Sequence, residues 1–235
     1  MLTLFEPIID YIFPPTCLAC GEFTLKSHSF CSKCWSEFNF IAKPYCKDCG
    51  MQFELPVFDA MSCGKCIKHP PAYDYARSLL KFDKNSKKII HSFKYHDKIE
   101  LSTLFSRLLY KTYNEQISHV DYVIPVPMHR FKRLLRMYNQ ADLLCIALAK
   151  LMNKPRIPDI LIKTRWTKSQ VYLTRRARKE NLRSSIRLNP KYNIKGKTIL
   201  LVDDVMTTGT TLDYCSKLLK KGGAKAVIAL TVATT

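Results

Sequence analysis

The chain has 235 residues, of which 47% are hydrophobic and 11% aromatic, enough to bury a sizeable core in one large or two modest domains. No apolar run approaches the ~20 residues that a membrane-spanning helix needs. Because the apolar start carries Glu6 and Asp10 and no early basic residue, a signal peptide is not predicted, and we expect a cytoplasmic protein.

The positive charge is confined to one part of the chain. The formal net charge is +19, yet residues 1–72 hold 6 Lys/Arg against 7 Asp/Glu, whereas residues 73–235 hold 32 against 12. This excess favours a partner rich in phosphate groups, such as a nucleic acid, over a protein that is merely basic.

The first predicted element is a short amphipathic helix. Phe5, Ile8, Ile9, Ile12 and Phe13 fall on one helical face. We expect this face to pack on the protein itself. The alternative is a partner or the inner face of a membrane, to which the protein would then be peripheral.

Eight of the ten cysteines form four C-x-x-C pairs near the start of the chain. The pairs are Cys17/Cys20, Cys31/Cys34, Cys46/Cys49 and Cys63/Cys66. Two such pairs supply the four sulfur ligands of a tetrahedral zinc ion. Disulfides would need an oxidising compartment, and a thioredoxin-like redox motif would use a single pair. The pattern therefore predicts one or two zinc sites, with two favoured.

The spacing also suggests which pairs share an ion. A glycine follows the second cysteine of the first and third pairs, as in a zinc knuckle, and a plainer pair follows each. We assign site one to Cys17, Cys20, Cys31 and Cys34, and site two to Cys46, Cys49, Cys63 and Cys66. Interleaved pairing is the alternative. Four thiolates leave each site near −2, so we expect the module to be structural and not the main phosphate binder.

Alternating strands and helices are predicted after Pro70-Pro71. In chain order, the predicted elements are strand Arg77–Phe82, helix Leu101–Asn114, strand Tyr122–Val126, helix Tyr138–Met152, strands Ile160–Ile162 and Thr198–Val202, helix Leu212–Lys221 and strand Ala226–Val232. The continuous apolar runs are typical of strands buried on both faces. This order indicates an α/β fold with a largely parallel sheet.

The stretch ILLVDDVMTTGTT, residues 199–211, contains the strongest functional signal. Asp203 and Asp204 directly follow a predicted buried strand, at the edge where such sheets bind ligands. After them, Thr207, Thr208, Gly209, Thr210 and Thr211 lead into a helix N-terminus, where backbone N–H groups and hydroxyls can bind a phosphate. The stretch lacks the G-x-x-x-x-G-K-[ST] pattern and its lysine, so a P-loop that binds nucleoside triphosphates is not predicted. Paired carboxylates beside a phosphate site suit the 2′- and 3′-hydroxyls of a phosphorylated ribose, with Mg²⁺ nearby.

The same stretch resembles the phosphoribosyl-pyrophosphate (PRPP) motif of type I phosphoribosyltransferases. Together with the four C-x-x-C pairs and the segment VIPVPMHRFKRLLRMYNQA, the whole chain looks like the ComF family of competence proteins. The resemblance implies a zinc-binding module, residues 1–72, and a phosphoribosyltransferase-like parallel sheet with helices on both faces, residues 73–235. It further implies that Asp203 and Asp204 hold the ribose and residues 207–211 the 5′-phosphate.

Two basic segments fit the same predicted site. In the segment 127–139, Arg133 and Arg136 could face the pyrophosphate, although Met137 stands where the family usually has glycine. Lys94-Tyr95 matches a recurrent family Lys-Tyr that could border the site.

The segment KTRWTKSQVYLTRRARKENLRSSIR, residues 163–187, holds nine Lys/Arg and one acidic residue. It corresponds within the resemblance to the loop that closes over the sugar. Its charges, which include Arg175, Arg176 and Arg178, and its aromatic residues also suit single-stranded DNA.

These patterns, together with what the resemblance implies, lead to two candidate functions. The first is a competence protein that binds PRPP and Mg²⁺, handles incoming single-stranded DNA and contacts an import helicase or another competence protein. The second is an active transferase that moves phosphoribose from PRPP to a nitrogen acceptor. The sequence shows no evident general base, so catalytic residues are not assigned.

Overall fold

A computed structural model describes residues 14–55, 60–95, 99–129, 138–164 and 185–235. Within these residues, two short helices lie among the cysteines, and six strands and four longer helices follow. Their bounds are α1 (Ser32–Glu37), α2 (Gly64–Lys68), β1 (Tyr75–Lys81), α3 (Lys84–Tyr95), α4 (Glu100–Ile117), β2 (Tyr122–Pro125), α5 (Gln140–Met152), β3 (Leu161–Lys163), β4 (Ile186–Leu188), β5 (Thr198–Met206), α6 (Thr210–Lys221) and β6 (Ala226–Thr234). In this part of the chain, no helix combines the length and apolar character needed to cross a membrane.

The main sheet has four parallel strands in the order β1-β6-β5-β2. Because β5 is central, its apolar residues Ile199 to Val202 are fully buried on both faces, as the continuous run indicates. The predicted parallel α/β sheet is therefore confirmed.

Side chains that alternate along the central strands feed two separate cores. Leu200 of β5 and Ile228 of β6 point into a core with α3, α4 and α5. Their neighbours Ile199 and Val227 point into a second core with α6. Helices therefore cover both faces of the sheet, as predicted.

The cysteine-rich segment wraps around the edge strand β1. Cys17 and Cys34, from the first cysteine cluster (Cys17, Cys20, Cys31 and Cys34), extend the core on the α3–α5 face. The second cluster (Cys46, Cys49, Cys63 and Cys66) extends the core on the α6 face. From the end of the first cluster into the start of the second, the chain runs along the free edge of β1. Lys81 N–H donates to the Asn39 carbonyl at 2.8 Å, and Ala76 N–H donates to the carbonyl of Asp48, between Cys46 and Cys49, at 2.6 Å. The segment thus satisfies backbone groups that an open edge strand would leave exposed.

Two features of the sheet differ from the sequence-based expectation. The run 160–162 was expected in the parallel sheet, but β3 pairs antiparallel with β4 in a separate two-stranded sheet. Strand β5 also extends to Met206, because β6 continues alongside it and pairs Asp203 with Thr231 and Val205 with Ala233. An apolar run marks a buried strand but does not identify its partner or its polar continuation.

Helix α3 was not predicted. Its start is capped by Asp83, whose Oδ1 accepts hydrogen bonds from the backbone N–H groups of Asn85 at 3.0 Å and Ser86 at 2.9 Å. Ile89, Ile90 and Phe93 then bury one side of the helix. The Asp-x-x-Ser start and this apolar spacing were the available signals.

Candidate functional site

The carboxylate pair lies inside strand β5, near its carboxyl end. Both side chains are partly buried, because β6 runs beside this part of the strand. Asp203 Oδ1 accepts a hydrogen bond from the backbone N–H of Asp204 at 2.9 Å. Asp204 Oδ2 lies 2.7 Å from Nζ of Lys94, at the end of helix α3. The structure therefore brings Lys94 to the predicted site.

Helix α3 is held beside the start of α5, which fixes the position of Lys94. Gln140 Nε2 donates to the Lys94 carbonyl at 3.4 Å, and Asn139 Nδ2 donates to the carbonyl of Val126 at 3.3 Å. These bonds join the carboxyl end of β2, the start of α5 and the end of α3. The ammonium group of Lys94 therefore comes from a packed helix and not from a free surface position.

The electrostatic environment of Asp203 makes its carboxyl harder to ionise in the absence of a ligand. Burial raises the pKa of its carboxyl to about 7, and the neighbouring Asp204 carboxylate adds to the rise. The N–H of Asp204 and the ammonium groups of Lys94 and Lys163 act in the opposite direction. Cations and hydroxyl donors are therefore the ligands that this pair would gain most from binding. Lys163 is the first residue of the basic segment 163–187 and was not itself predicted as a site residue.

A short polar loop, residues 207–209, joins β5 to helix α6. Gly209 has φ of 74°, a left-handed conformation that a residue with a Cβ adopts at a cost. Thr207 and Thr208 are exposed, and the hydroxyls of Thr208 and Thr210 are 2.9 Å apart. The loop thus places exposed hydroxyls and the N-terminus of a 12-residue helix immediately after the carboxylate pair.

The structure groups the cysteines in the predicted order and does not interleave them. Within each cluster, the four Sγ atoms lie within 4.8 Å of one another, and the clusters are Cys17/Cys20/Cys31/Cys34 and Cys46/Cys49/Cys63/Cys66. Backbone N–H groups donate to sulfur in both: Cys31 N to Cys17 Sγ at 3.3 Å, and Cys63 N to Cys46 Sγ at 3.2 Å.

The chemistry of these thiols fits zinc. Burial opposes ionisation of Cys17, but N–H donors from Cys20, Cys31 and Ala19 lower its pKa to about 6. In the second cluster, burial raises the pKa of Cys49 to about 12. Four thiolates at this spacing need a cation to remain ionised together, and an all-sulfur set of four is a structural zinc site. Each cluster would hold one ion through its four sulfur atoms.

Most of the basic residues predicted to face the ligands lie outside the described residues, namely Arg133, Arg136, Arg175, Arg176 and Arg178. The side chain of Tyr95 and the predicted N-terminal amphipathic helix also lie outside them. Their predicted roles stay predictions.

Comparisons with known proteins agree with this arrangement. Residues 8–67 match the double zinc ribbon domain, and residues 128–235 match the phosphoribosyl transferase domain. The chain is 30% identical over 218 residues to competence protein F of Haemophilus influenzae, covering 90% of this chain and 93% of that protein. It is also 30% identical over 223 residues to the DNA utilization protein YhgH of Escherichia coli K12, covering 91% and 94%.

Among solved structures, glutamine PRPP amidotransferase from B. subtilis is similar to this chain with 18% identity and a TM-score of 0.42. The similarity covers 60% of this chain and 30% of the amidotransferase. A similarity this low adds nothing to the assignment, which rests on the sheet and on the full-length relatives. With its double zinc ribbon and its phosphoribosyltransferase-type sheet, the chain belongs to the ComF family of competence proteins.

Proposed function

We propose that this protein binds PRPP with Mg²⁺ at the carboxylate pair and handles single-stranded DNA during natural transformation. Residues 1–72 would form the zinc-binding module and residues 73–235 the phosphoribosyl-binding domain. The observation that carries the proposal is the position of Asp203 and Asp204 at the carboxyl end of a central parallel strand, followed directly by the loop and the start of α6.

The ribose is the part of the ligand that the carboxylate pair suits. Its 2′- and 3′-hydroxyls would donate to Asp203 and Asp204, replacing the repulsion between the two carboxylates with hydrogen bonds. Mg²⁺ would supply positive charge to these carboxylates and to the pyrophosphate. Lys94, already 2.7 Å from Asp204, would offset the negative charge of that carboxylate until the ligand arrives.

The 5′-phosphate is the part that the loop suits. Backbone N–H groups of residues 207–211 and the threonine hydroxyls would donate to its oxygens at the N-terminus of α6. Phosphate binding by neutral donors of this kind requires the loop to keep one conformation, which Gly209 permits.

DNA handling is supported by charge and by the relatives. The excess of 20 positive charges over residues 73–235 suits a polyanion. The similar proteins are named for competence and for DNA utilization. An import helicase or another competence protein would be the partner that receives or delivers the strand.

An active phosphoribosyltransferase is the second candidate, because the carboxylate pair and the threonine-rich loop are both intact. Catalysis would come from placing PRPP next to a nitrogen nucleophile and from stabilising the departing pyrophosphate. Release of pyrophosphate from PRPP in proportion to added nucleobase would identify the transferase. PRPP binding without release would identify the binding protein.

The DNA part of the proposal is tested with a fluorescently labelled single-stranded oligonucleotide. Anisotropy should show binding whose affinity falls steeply as salt is raised, because cationic contacts release counterions from the phosphates. Replacing Arg175, Arg176 and Arg178 with Ala should weaken binding and reduce the salt slope. A flat salt dependence, or unchanged affinity in the triple variant, would refute the predicted role of this segment. Repeating the titration with saturating PRPP shows whether the two ligands compete.

A further inference from the structure

The outer side of the loop, residues 207–209, is tied to the second cysteine cluster. Lys65 lies in helix α2, between the last two cysteines of that cluster, and its Nζ donates to the carbonyl of Thr208 at 3.2 Å. Close by, Ala72 N–H donates to Oδ1 of Asp213 in helix α6 at 2.9 Å.

These ties cross a groove and are not part of a closely packed interface. The groove has a volume of about 690 Å³ and is lined by Pro70 and Pro71 on one side and by Met206 and Thr208 on the other. The described residues that line the groove do not include Asp203 or Asp204. Apolar packing therefore contributes less to fixing the exposed part of the loop than the polar ties do.

The geometry of the peptide bond explains what the tie to Thr208 does. The Thr208 carbonyl and the Gly209 N–H belong to one planar trans peptide, so they point in opposite directions. A donor that holds the carbonyl on the outer side therefore directs the Gly209 N–H to the other side of the loop. Thr235 acts on the preceding peptide in the same way, since its Oγ1 donates to the Thr207 carbonyl at 2.9 Å.

We propose that Lys65 is a positioning residue of the sugar-phosphate site. It holds the peptide between Thr208 and Gly209 in the orientation that a 5′-phosphate requires, and it makes that orientation depend on the second zinc site. The first cluster packs against the opposite face of the sheet, so its effect on the loop should be smaller. This inference rests on the phosphoribosyl binding proposed above and adds a contribution of the zinc module to it.

The test compares three variants of the full, zinc-loaded chain. Lys65→Met removes the tie, and Lys65→Arg keeps a cationic donor. Lys68→Met is the control, because it removes the same charge from the same helix. Lys68 also lines the groove, but it makes no hydrogen bond or ion pair with the described residues. Calorimetry with ribose 5-phosphate, and with PRPP plus Mg²⁺, measures the affinity of each. Hydrogen exchange reports on the amides of residues 207–211.

Lys65→Met should bind both ligands about 3- to 10-fold more weakly, the effect of losing one exposed hydrogen bond that orders the loop. Its loop amides should exchange faster while its zinc content stays that of wild type. Lys65→Arg should restore most of the affinity, and Lys68→Met should stay within about twofold of wild type.

Three results would overturn the inference. They are equal affinities for wild type and Lys65→Met, an equal loss in Lys68→Met, which would indicate a general charge effect, and no rescue by Lys65→Arg. In each, the wild type still binds, so the proposed function stands. If wild type itself binds neither ligand, the proposed function fails, and the inference about Lys65 fails with it.

Discussion

Replacing Asp203 with Asn should stabilise the ligand-free protein, and increasingly so as the pH rises. The reason is that burial raises the pKa of Asp203 from an ordinary value of 3.8 to about 7. In this case the native state binds the proton more tightly than the unfolded chain. The stability that the protonated form provides is complete below about pH 4 and is lost as the pH rises through the folded-state pKa. Asn carries no charge, so the variant avoids this loss.

The size of the effect follows from the shift of about three pKa units. At about pH 5 the unfolded chain is already ionised and the native state is not, which costs about 2 kcal/mol. At about pH 8 both are ionised, and the cost reaches about 4 kcal/mol. The free-energy difference between variant and wild type should therefore grow by about 2 to 3 kcal/mol between these pH values, or about 5–10 °C in Tm for a chain of this size.

Urea unfolding of the zinc-loaded proteins, followed by circular dichroism at the two pH values, measures this difference. Comparing variant with wild type at each pH cancels the pH dependence of zinc binding. Asp159→Asn is the control, because it removes the same charge from an exposed position. A difference that stays constant with pH, or a variant that is less stable than wild type at the higher pH, would refute the assignment of a buried carboxyl with a raised pKa at Asp203.

Three further predictions concern the zinc module and the loop. Gly50→Ala should lower the free energy of unfolding in urea by about 1 to 3 kcal/mol more than Gly21→Ala does. Both glycines have positive φ, but only at position 50 would the new Cβ lie 2.6 Å from a backbone atom, the Ala76 carbonyl oxygen. Equal losses would contradict the docking on β1. Metal analysis should find one zinc ion for each of the two cysteine clusters, and chelation should change the circular dichroism spectrum, whereas an unchanged spectrum would remove the structural role of zinc. Thr235→Val should weaken ribose 5-phosphate binding about 3- to 10-fold in calorimetry, through the freed Thr207 carbonyl, and an unchanged affinity would show that this bond does not order the loop.

The sequence was sufficient to predict features formed by residues that are close together in the chain. The C-x-x-C pairs and their glycines are local patterns, and the predicted division into two clusters agrees with the structure. The carboxylate pair and its loop are also a local pattern, because they adjoin along one strand–loop–helix connection. The strand boundary was less accurate, since β5 extends through Asp203 and Asp204 only because β6 provides a partner that far.

Features that depend on packing between distant segments could not be derived from local patterns, and Lys94 was predicted near the site only through the family resemblance. Lys94 reaches Asp204 because α3 packs against the sheet and beside α5, and neither contact is written in the residues around Lys94. The strand order places β1 at the edge, where the segment between the two clusters covers it. Only this order brings Lys65 to the loop. The mistaken assignment of residues 160–162 to the main sheet has the same cause, because pairing with β4 depends on tertiary structure.

The most direct test of the central claim is calorimetric titration of PRPP plus Mg²⁺ into the zinc-loaded wild type and into Asp203→Asn/Asp204→Asn. The wild type should bind with a one-to-one stoichiometry, and the double variant should lose most of that affinity while keeping its zinc and its fold. No heat of binding in the wild type, or equal affinity in the double variant, would contradict the assignment of Asp203, Asp204 and the loop after them as a phosphoribosyl site.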